Sequence, residues 1–442
     1  VTERLKTPRG TRDLFGEEVA VIAGIEDAAR ALAIHYGFEE IRTPIFESQS
    51  LFERSVGDET DIVSKELYRF VDRKGRPLAL RPEGTAGVVR AYIEHAMAAR
   101  GGATKLFYAG PMFRYERPQG GRYRQFLQIG FEFFGATGVT ADFEVIDLAW
   151  RLLERLSVKA GLRVNHLGCA ACREAFSRAL VDHFVARREA LCGDCVRRLE
   201  KNPLRLLDCK VPECRAIAGS SPSIGLCATC RAENDVLHTL LRDAGIDFTA
   251  DATLVRGLDY YTGIVFEMTS AKLGAQDAVL GGGRYDNLVA DLGGAAVPAV
   301  GFAVGVDRLA SIILADPSAS PPRAPLLYVV GLKPEGLAAA ARLTRILRRW
   351  HEKRTLASSA RPDWIEMGHG ERSLKARLKE ADRLGAAYVA ILGEDEVANG
   401  TATIREMGHG GQAAVAIRGL AEGAIGEAIL ATMERLTEER LR

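Results

Sequence analysis

Three arginines stand where a guanidinium could meet a ligand: Arg114 at the end of an apolar run, Arg256 beside Gly257 in LVRGLDYYTGIVFEM (254–268), and Arg308 just after GFAVGVD. Such a group keeps its charge and donates bidentately, which suits phosphate or carboxylate. Around Arg256, Val255, Val265 and Phe266 favour a half-buried strand. Gly257 and Gly263 permit close approach of a backbone or a ligand. Adjacent strand residues point to opposite faces, so only one of Tyr260 and Tyr261 is expected to share the face of Arg256, unless a glycine kink intervenes. Taken alone, this segment fits a surface arginine on a core strand better than a site.

A second constellation lies around Arg114. The polar loop 115–122 contributes Glu116, Arg117, Gln119 and Arg122, and Gln128 and Glu132 follow on the next β-rich run. Gln128, Gly130 and Glu132 share a strand face by period two. Acceptors beside an arginine could bind a zwitterionic ligand that also carries phosphate; a solvated charged hairpin fits this element equally. Glu132 lies among Phe131, Phe133 and Phe134, and a carboxylate amid aromatics usually has a dedicated partner. In RPEGT (81–85), Glu83 and Thr85 could hold an ammonium group, although a capped turn fits these residues at least as well. GFAVGVDR (301–308) runs from strand into helix, its glycines leaving a flat floor for a base; packing alone also explains that spacing.

All eight cysteines fall between Cys169 and Cys230, as Cys169-x2-Cys172, Cys192-x2-Cys195, Cys209-x4-Cys214 and Cys227-x2-Cys230. CxxC spacing lets two thiolates meet one tetrahedral ion. Structural zinc is the leading expectation, at one site or two. Iron–sulfur clusters and free or redox thiols remain as alternatives.

The elements that must position these groups follow from periodicity. Helices are expected over 17–36, 141–156 and 337–350, and one starting near Asp307. A strand carrying Pro44 is expected over 38–46, and a long hairpin from 106–114 and 123–135. The stretch 315–325 has linker composition. Strands at 326–330 and 388–392, alternating with helices, indicate a small C-terminal α/β domain; 351–370 shows no clean period. The 442 residues allow two or three domains, 47% hydrophobic content is ordinary for a soluble protein, and a net charge of +1 excludes a globally basic nucleic-acid binder. With no apolar run that could span a bilayer and no signal-like start, no membrane association and a cytoplasmic location are expected.

In combination, TPRGTRD (7–13), LRPEGT (80–85), FRYERPQGGRYRQF (113–126), LVRGLDYYTG (254–263), GGGRYDNL (281–288) and VGFAVGVDRL (300–309) resemble the histidyl-tRNA synthetases, a class II family, in the family's order. The resemblance implies an α+β fold: a class II antiparallel sheet flanked by helices, a mostly helical insertion, and a C-terminal α/β anticodon-binding domain. It divides the chain into a catalytic core at 1–165 and 249–314, a cysteine-rich insertion at 166–248, a linker at 315–325 and an anticodon-binding domain at 326–442. It also implies a homodimer built partly through 38–48.

The activity implied is ATP-dependent ligation of L-histidine to tRNA(His) through histidyl-adenylate, with Mg2+. Arg114, Arg256 and Arg308 would be the catalytic groups: Arg114 on the α-phosphate, Arg256 approaching it from the opposite side, and Arg308 at the far end of a bent ATP. Glu116 would join Arg114 and Arg308 in binding ATP. Glu83, Thr85 and Gln128 would grip the amino group, Glu132 and Tyr261 would read the imidazole, and Arg114, Arg256 and Tyr260 would complete the histidine site. Arg117 and Gln119 would lie near the tRNA acceptor end. Recognition of both imidazole nitrogens implies that no editing domain is needed. Tyr115 and Leu127 stand where many relatives have histidine, and 351–370 departs from the usual anticodon-domain pattern. The alternative is the non-catalytic, histidine-sensing regulatory subunit of ATP phosphoribosyltransferase, which usually lacks both the complete RGLDYY motif and the anticodon domain. The arginines at 342, 345, 348, 349 and 377, with Lys375 and Lys379, could touch tRNA or face solvent.

Overall fold

The computed structural model describes residues 5–57, 60–117, 122–209, 211–273, 278–316, 324–355 and 363–441. The chain forms two compact units, Val1–Pro317 and Ser318–Arg442.

The first unit is built on an eight-stranded sheet, in the order Glu39–Glu40, Thr104–Phe113, Gln125–Phe134, Ala299–Gly305, Ala278–Arg284, Thr262–Thr269, Gly161–His166 and Phe248–Ala250. All neighbours are antiparallel except the outermost pair at each edge. Period two sets its faces. On the Gln125–Phe134 strand, Ile129, Phe131 and Phe133 join one apolar core with helices Gly16–His35, Val139–Arg155 and Val306–Leu314. Phe131 stacks on Phe302 at 5.0 Å between ring centres and meets the edge of Phe38 at 5.3 Å. Gln128, Gly130 and Glu132 therefore point the other way.

Polar staples fix the helices to this sheet. Arg284 donates to Asp142 (2.9 Å), Ala136 O (3.2 Å), Gly138 O (3.1 Å) and Asp286 (3.1 Å), which ties the sheet to the start of helix Val139–Arg155. Arg12 of TPRGTRD donates to Asp307 (2.7 Å), and Asp307 accepts the Leu127 N–H (2.6 Å). The N-terminal motif thus braces the loop end of the hairpin.

The insertion is helical, as expected: helices Ala170–Val185, Gly193–Lys201 and Pro212–Ala218 surround a small core that includes Phe176, Leu180, Phe184, Leu199 and Leu206, and helix Ala228–Asp243 buries Leu237 and Leu241 in the core of the large sheet. A three-stranded sheet, Phe46–Ser48, Pro77–Leu80 and Arg69–Val71, stands apart from the large one.

The second unit has a five-stranded sheet, in the order Ile365–Met367, Leu327–Gly331, Tyr388–Leu392, Thr401–Glu406 and Gln412–Ala416. The first three strands run parallel and the last two antiparallel. Helices Lys333–Thr355 and Glu422–Leu441 contribute Leu343, Leu347, Ile425 and Ile429 to its core.

Three expectations need correction. The stretch 38–46 is not one strand: only Glu39–Glu40 pairs with the large sheet, and Phe46 begins a strand of the small one. Pro44, lacking an N–H, lies between them. Arg256 is not on a strand, which begins only at Thr262; a coil and turns cover 254–261. Arg377 is not a surface cation. It is 1% exposed and donates to Glu380 (2.7 Å) and to the carbonyls of His369 and Gly370.

Candidate functional site

On the sheet face away from the three helices lies a cavity of about 820 Å³. Its floor comes from the strand register: Glu267, Gly281, Ala303 and Gly130 form one row across four strands, and Gly301 faces Glu132 in the next. Glycine is required at Gly301, where a Cβ would overlap the Phe131 carbonyl and the Glu132 carboxylate, and at Gly130, where it would overlap the Tyr108 ring; a Cβ on Gly281 would displace the Arg256 guanidinium.

Glu83, Thr85, Glu132 and Tyr285 form one group of the lining. Glu83 accepts the backbone N–H groups of Thr85 (2.6 Å) and Ala86 (3.0 Å), capping helix Thr85–Glu94. The capped turn and the cavity position are therefore both realised. Burial raises the pKa of Glu83, against the pull of these two N–H donors. Glu132, 1% exposed, accepts from Thr85 Oγ1 (2.7 Å) and from the Tyr285 hydroxyl. Burial pushes its pKa up to about 8; the two hydroxyls lower it and the Glu83 charge raises it. Gln128 accepts from the Tyr108 hydroxyl at 3.4 Å.

The cationic group is built from Arg114, Arg122 and Arg308. Arg114 donates through Nε to Pro82 O (2.9 Å), with Glu116 at 3.9 Å. Arg122 pairs with Glu116 at 2.7 Å. Arg308 donates to Ala278 O (2.7 Å), and its pKa is lowered by burial and then by the Arg122 charge. Guanidinium groups that repel one another in a partly buried cavity favour a polyanionic ligand.

Arg256 reaches the cavity from the turn that precedes the Thr262–Thr269 strand. Its Nη1 pairs with Glu267, and its buried Nε has no hydrogen-bond partner among the described residues. Burial opposes its charge, but Tyr261 and Glu267 outweigh that and raise its pKa. Tyr260 and Tyr261 both line the cavity, at 4.7 Å between ring centres. The alternation rule fails here because a turn, not a strand, carries the pair.

Among the described residues, the cavity gathers Glu83, Thr85, Arg114, Glu116, Gln128, Glu132, Arg256, Tyr260, Tyr261 and Arg308. Arg117 is exposed and outside that lining. Gln119 lies outside the described residues. Sequence reasoning missed Tyr285 and Glu267 as partners. Glu267 carried the signal used for Glu132, a carboxylate in an apolar strand; Tyr285 carried none beyond its place in GGGRYDNL.

The cysteines form two groups, Cys169, Cys172, Cys227 and Cys230, and Cys192, Cys195, Cys209 and Cys214, with the sulfurs of each within 4.8 Å of one another. Each group could hold a metal ion. Among the described residues, no helix is long and apolar enough to cross a membrane.

The family model described as histidyl-tRNA synthetase matches residues 10–185 and 218–309, and one described as anticodon binding domain matches 361–425. The chain is 42% identical to the histidine–tRNA ligase of Halothermothrix orenii over 95% of this chain and 98% of that protein. It is 45% identical to the histidine–tRNA ligase of Moorella thermoacetica, over 92% and 94%. The solved apo histidyl-tRNA synthetase of S. aureus superposes with a TM-score of 0.77 at 32% identity, covering 96% of this chain and 100% of that one. With its antiparallel sheet, its cavity and these relatives, the chain belongs to the histidyl-tRNA synthetase family.

Proposed function

We propose that this chain ligates L-histidine to tRNA(His) in two steps. A histidine carboxylate oxygen attacks the ATP α-phosphorus, forming histidyl-adenylate and releasing pyrophosphate. The tRNA 3′-terminal ribose hydroxyl then attacks the adenylate carbonyl, AMP leaves, and the hydroxyl proton passes to solvent. The observation that supports this most is one cavity joining the Glu83–Thr85–Glu132 group to Arg114, Arg256 and Arg308. It offers acceptors for an ammonium and an imidazole N–H at one group, and charge for phosphates at the others.

The chemistry is mostly positioning and charge stabilisation. Glu83, Thr85 and Gln128 hold the amino group; Glu132, Tyr260 and Tyr261 enclose the imidazole. Arg114 and Arg256 take the α-phosphate from two sides and also border the histidine carboxylate. Arg308 and Glu116 hold the rest of the nucleotide, and Mg2+ bound with ATP would offset part of the phosphate charge there. Arg117 and Gln119 meet the acceptor end, and the unit containing 326–442 meets the anticodon. Structural zinc in the 166–248 insertion, a homodimer and a cytoplasmic location belong to the same reading. So does a catalytic core at 1–165 and 249–314, joined by a 315–325 linker to the anticodon-binding part.

Histidine-dependent ATP–pyrophosphate exchange tests it. Exchange is expected with histidine and not with other amino acids, followed by charging of tRNA(His). Its absence in well-folded protein would sink the reading in favour of a histidine sensor on the same fold.

A further inference from the structure

The pairing of the cysteines is nested: the first CxxC groups with the third, and between them the second CxxC with Cys209 and Cys214. Cys169 and Cys172 sulfurs are 3.6 Å apart, and those of Cys192 and Cys209 are 3.9 Å apart. A disulfide needs about 2.0 Å. Four thiolates around zinc, at about 2.3 Å each, stand about 3.8 Å from one another. Backbone N–H groups already point at the sulfurs: Cys169 N at Cys230, Cys227 N at Cys172, and Cys192 N at Cys214, each at 3.2 Å. Such second-sphere donors stabilise metal-bound thiolate. His166 and Glu233 also lie near Cys230, but His166 Nδ1 is engaged by the Gly168 N–H (2.8 Å). The inner group falls within 186–217, the stretch that the family match leaves out.

Each group abuts one end of the loop that carries Arg256, Tyr260 and Tyr261. Cys209 follows the 3-10 turn Pro203–Asp208. From that turn, Arg205 donates to Gly257 O (2.9 Å) and lies 3.8 Å from Asp259, and the preceding Asn202 donates to Asp259 (2.7 Å). At the outer group, Arg173, next to Cys172, donates to Tyr261 O (2.9 Å), and Leu167 N donates to Gly263 O (2.6 Å).

We propose that the eight cysteines form two zinc–tetrathiolate sites, and that each fixes one end of the 254–263 loop, the inner through Asn202 and Arg205 and the outer through Arg173. Zinc thus reinforces the small apolar core of the insertion, and its rigidity reaches the Arg256 guanidinium. The catalytic consequence rests on the adenylate-forming reading; the two metal sites do not.

Zinc is counted on reduced, gel-filtered, chelator-free full-length protein by plasma mass spectrometry, with hydrogen–deuterium exchange followed across the loop. Wild type is expected to carry two ions per chain. Cys195→Ser and Cys172→Ser are each expected to retain one, with faster exchange at 255–259 and 261–263 respectively. Arg205→Ala and Arg173→Ala are expected to keep both ions, speed exchange at the same ends, and lower kcat on the order of 10- to 100-fold with little change in KM for ATP. Arg205→Lys should recover part of that loss. A zinc content near one or zero in wild type overturns the proposal, as does native loop exchange in both arginine variants; the latter remains decisive where a cysteine variant does not fold. Wild type with two ions but no pyrophosphate exchange would defeat the adenylate reading and leave the metal sites standing.

Discussion

At the scale of single residues, charge placed by the backbone carries most of the proposed chemistry. Arg256 spends one nitrogen on Glu267 and lies over Gly281, so its remaining donors are fixed before a ligand arrives. Replacing it with histidine removes a preorganised cation from the developing charge. Arg256→His is expected to cut pyrophosphate exchange on the order of 10²- to 10³-fold with the fold intact, checked by kinetics beside circular dichroism. Glu132 gives a pH signature. Its pKa of about 8 means that below that pH the carboxyl holds a proton. In the proposed site histidine uses the carboxylate as acceptor, so binding would release that proton. KM for histidine is therefore expected to fall as pH rises from about 7, where the free imidazole is neutral, toward 8, by at most about tenfold per unit. Glu132→Gln should raise KM and flatten this dependence. Since the folded pKa is raised, the group's own contribution to stability is present at low pH and lost as pH rises through about 8.

At the scale of elements, the strand register places the floor and the staples place the helices. Periodicity made the hairpin legible: 106–114 and 123–135 are realised as Thr104–Phe113 and Gln125–Phe134, with Gln128 and Glu132 on the expected face. The same rule misplaced Arg256, because β-branched and aromatic residues also suit a packed turn between strands. Arg284 and Asp142 bind strand to helix at 2.9 Å, both largely out of water. Asp142→Ala removes the buried carboxylate and leaves the guanidinium with Asp286 and two carbonyls; it is expected to cost on the order of 3 kcal/mol, measured as a lowered thermal and urea midpoint of the first unit.

For the whole molecule, the proposed homodimer places apolar surface at the small sheet. Ile45, Phe46, Phe70 and Val71 are exposed, and the Phe46 and Phe70 rings meet edge to face at 6.2 Å. Two of the four lie within the 38–48 segment that the resemblance implicates. Phe46→Asp is expected to shift the protein toward monomer in sedimentation equilibrium, with the isolated chain still folded; an undiminished dimer would remove this sheet from the interface. The second unit shows the opposite lesson about exposure. Of the basic residues suggested for tRNA, Arg342, Arg345, Arg348, Arg349, Lys375 and Lys379 are exposed, whereas Arg377 is spent on the carbonyls of its own loop.

What the sequence determined by itself was chemistry of residue type and local face: three motif arginines, acceptors at period two on one strand, cysteines in CxxC pairs, and a set of motifs whose order identifies the family. These properties are encoded over a few residues, within reach of backbone periodicity. Tertiary structure alone decided which distant groups meet. Tyr285 reaches Glu132 from 153 positions away, because a sheet that orders its strands out of sequence puts them on one face. Both tyrosines face one cavity because a turn precedes Thr262. The cysteines nest into two groups because helix starts converge in pairs, Ala170 with Ala228 and Gly193 with Pro212. No local period specifies such closures; they follow from how the apolar faces are buried together.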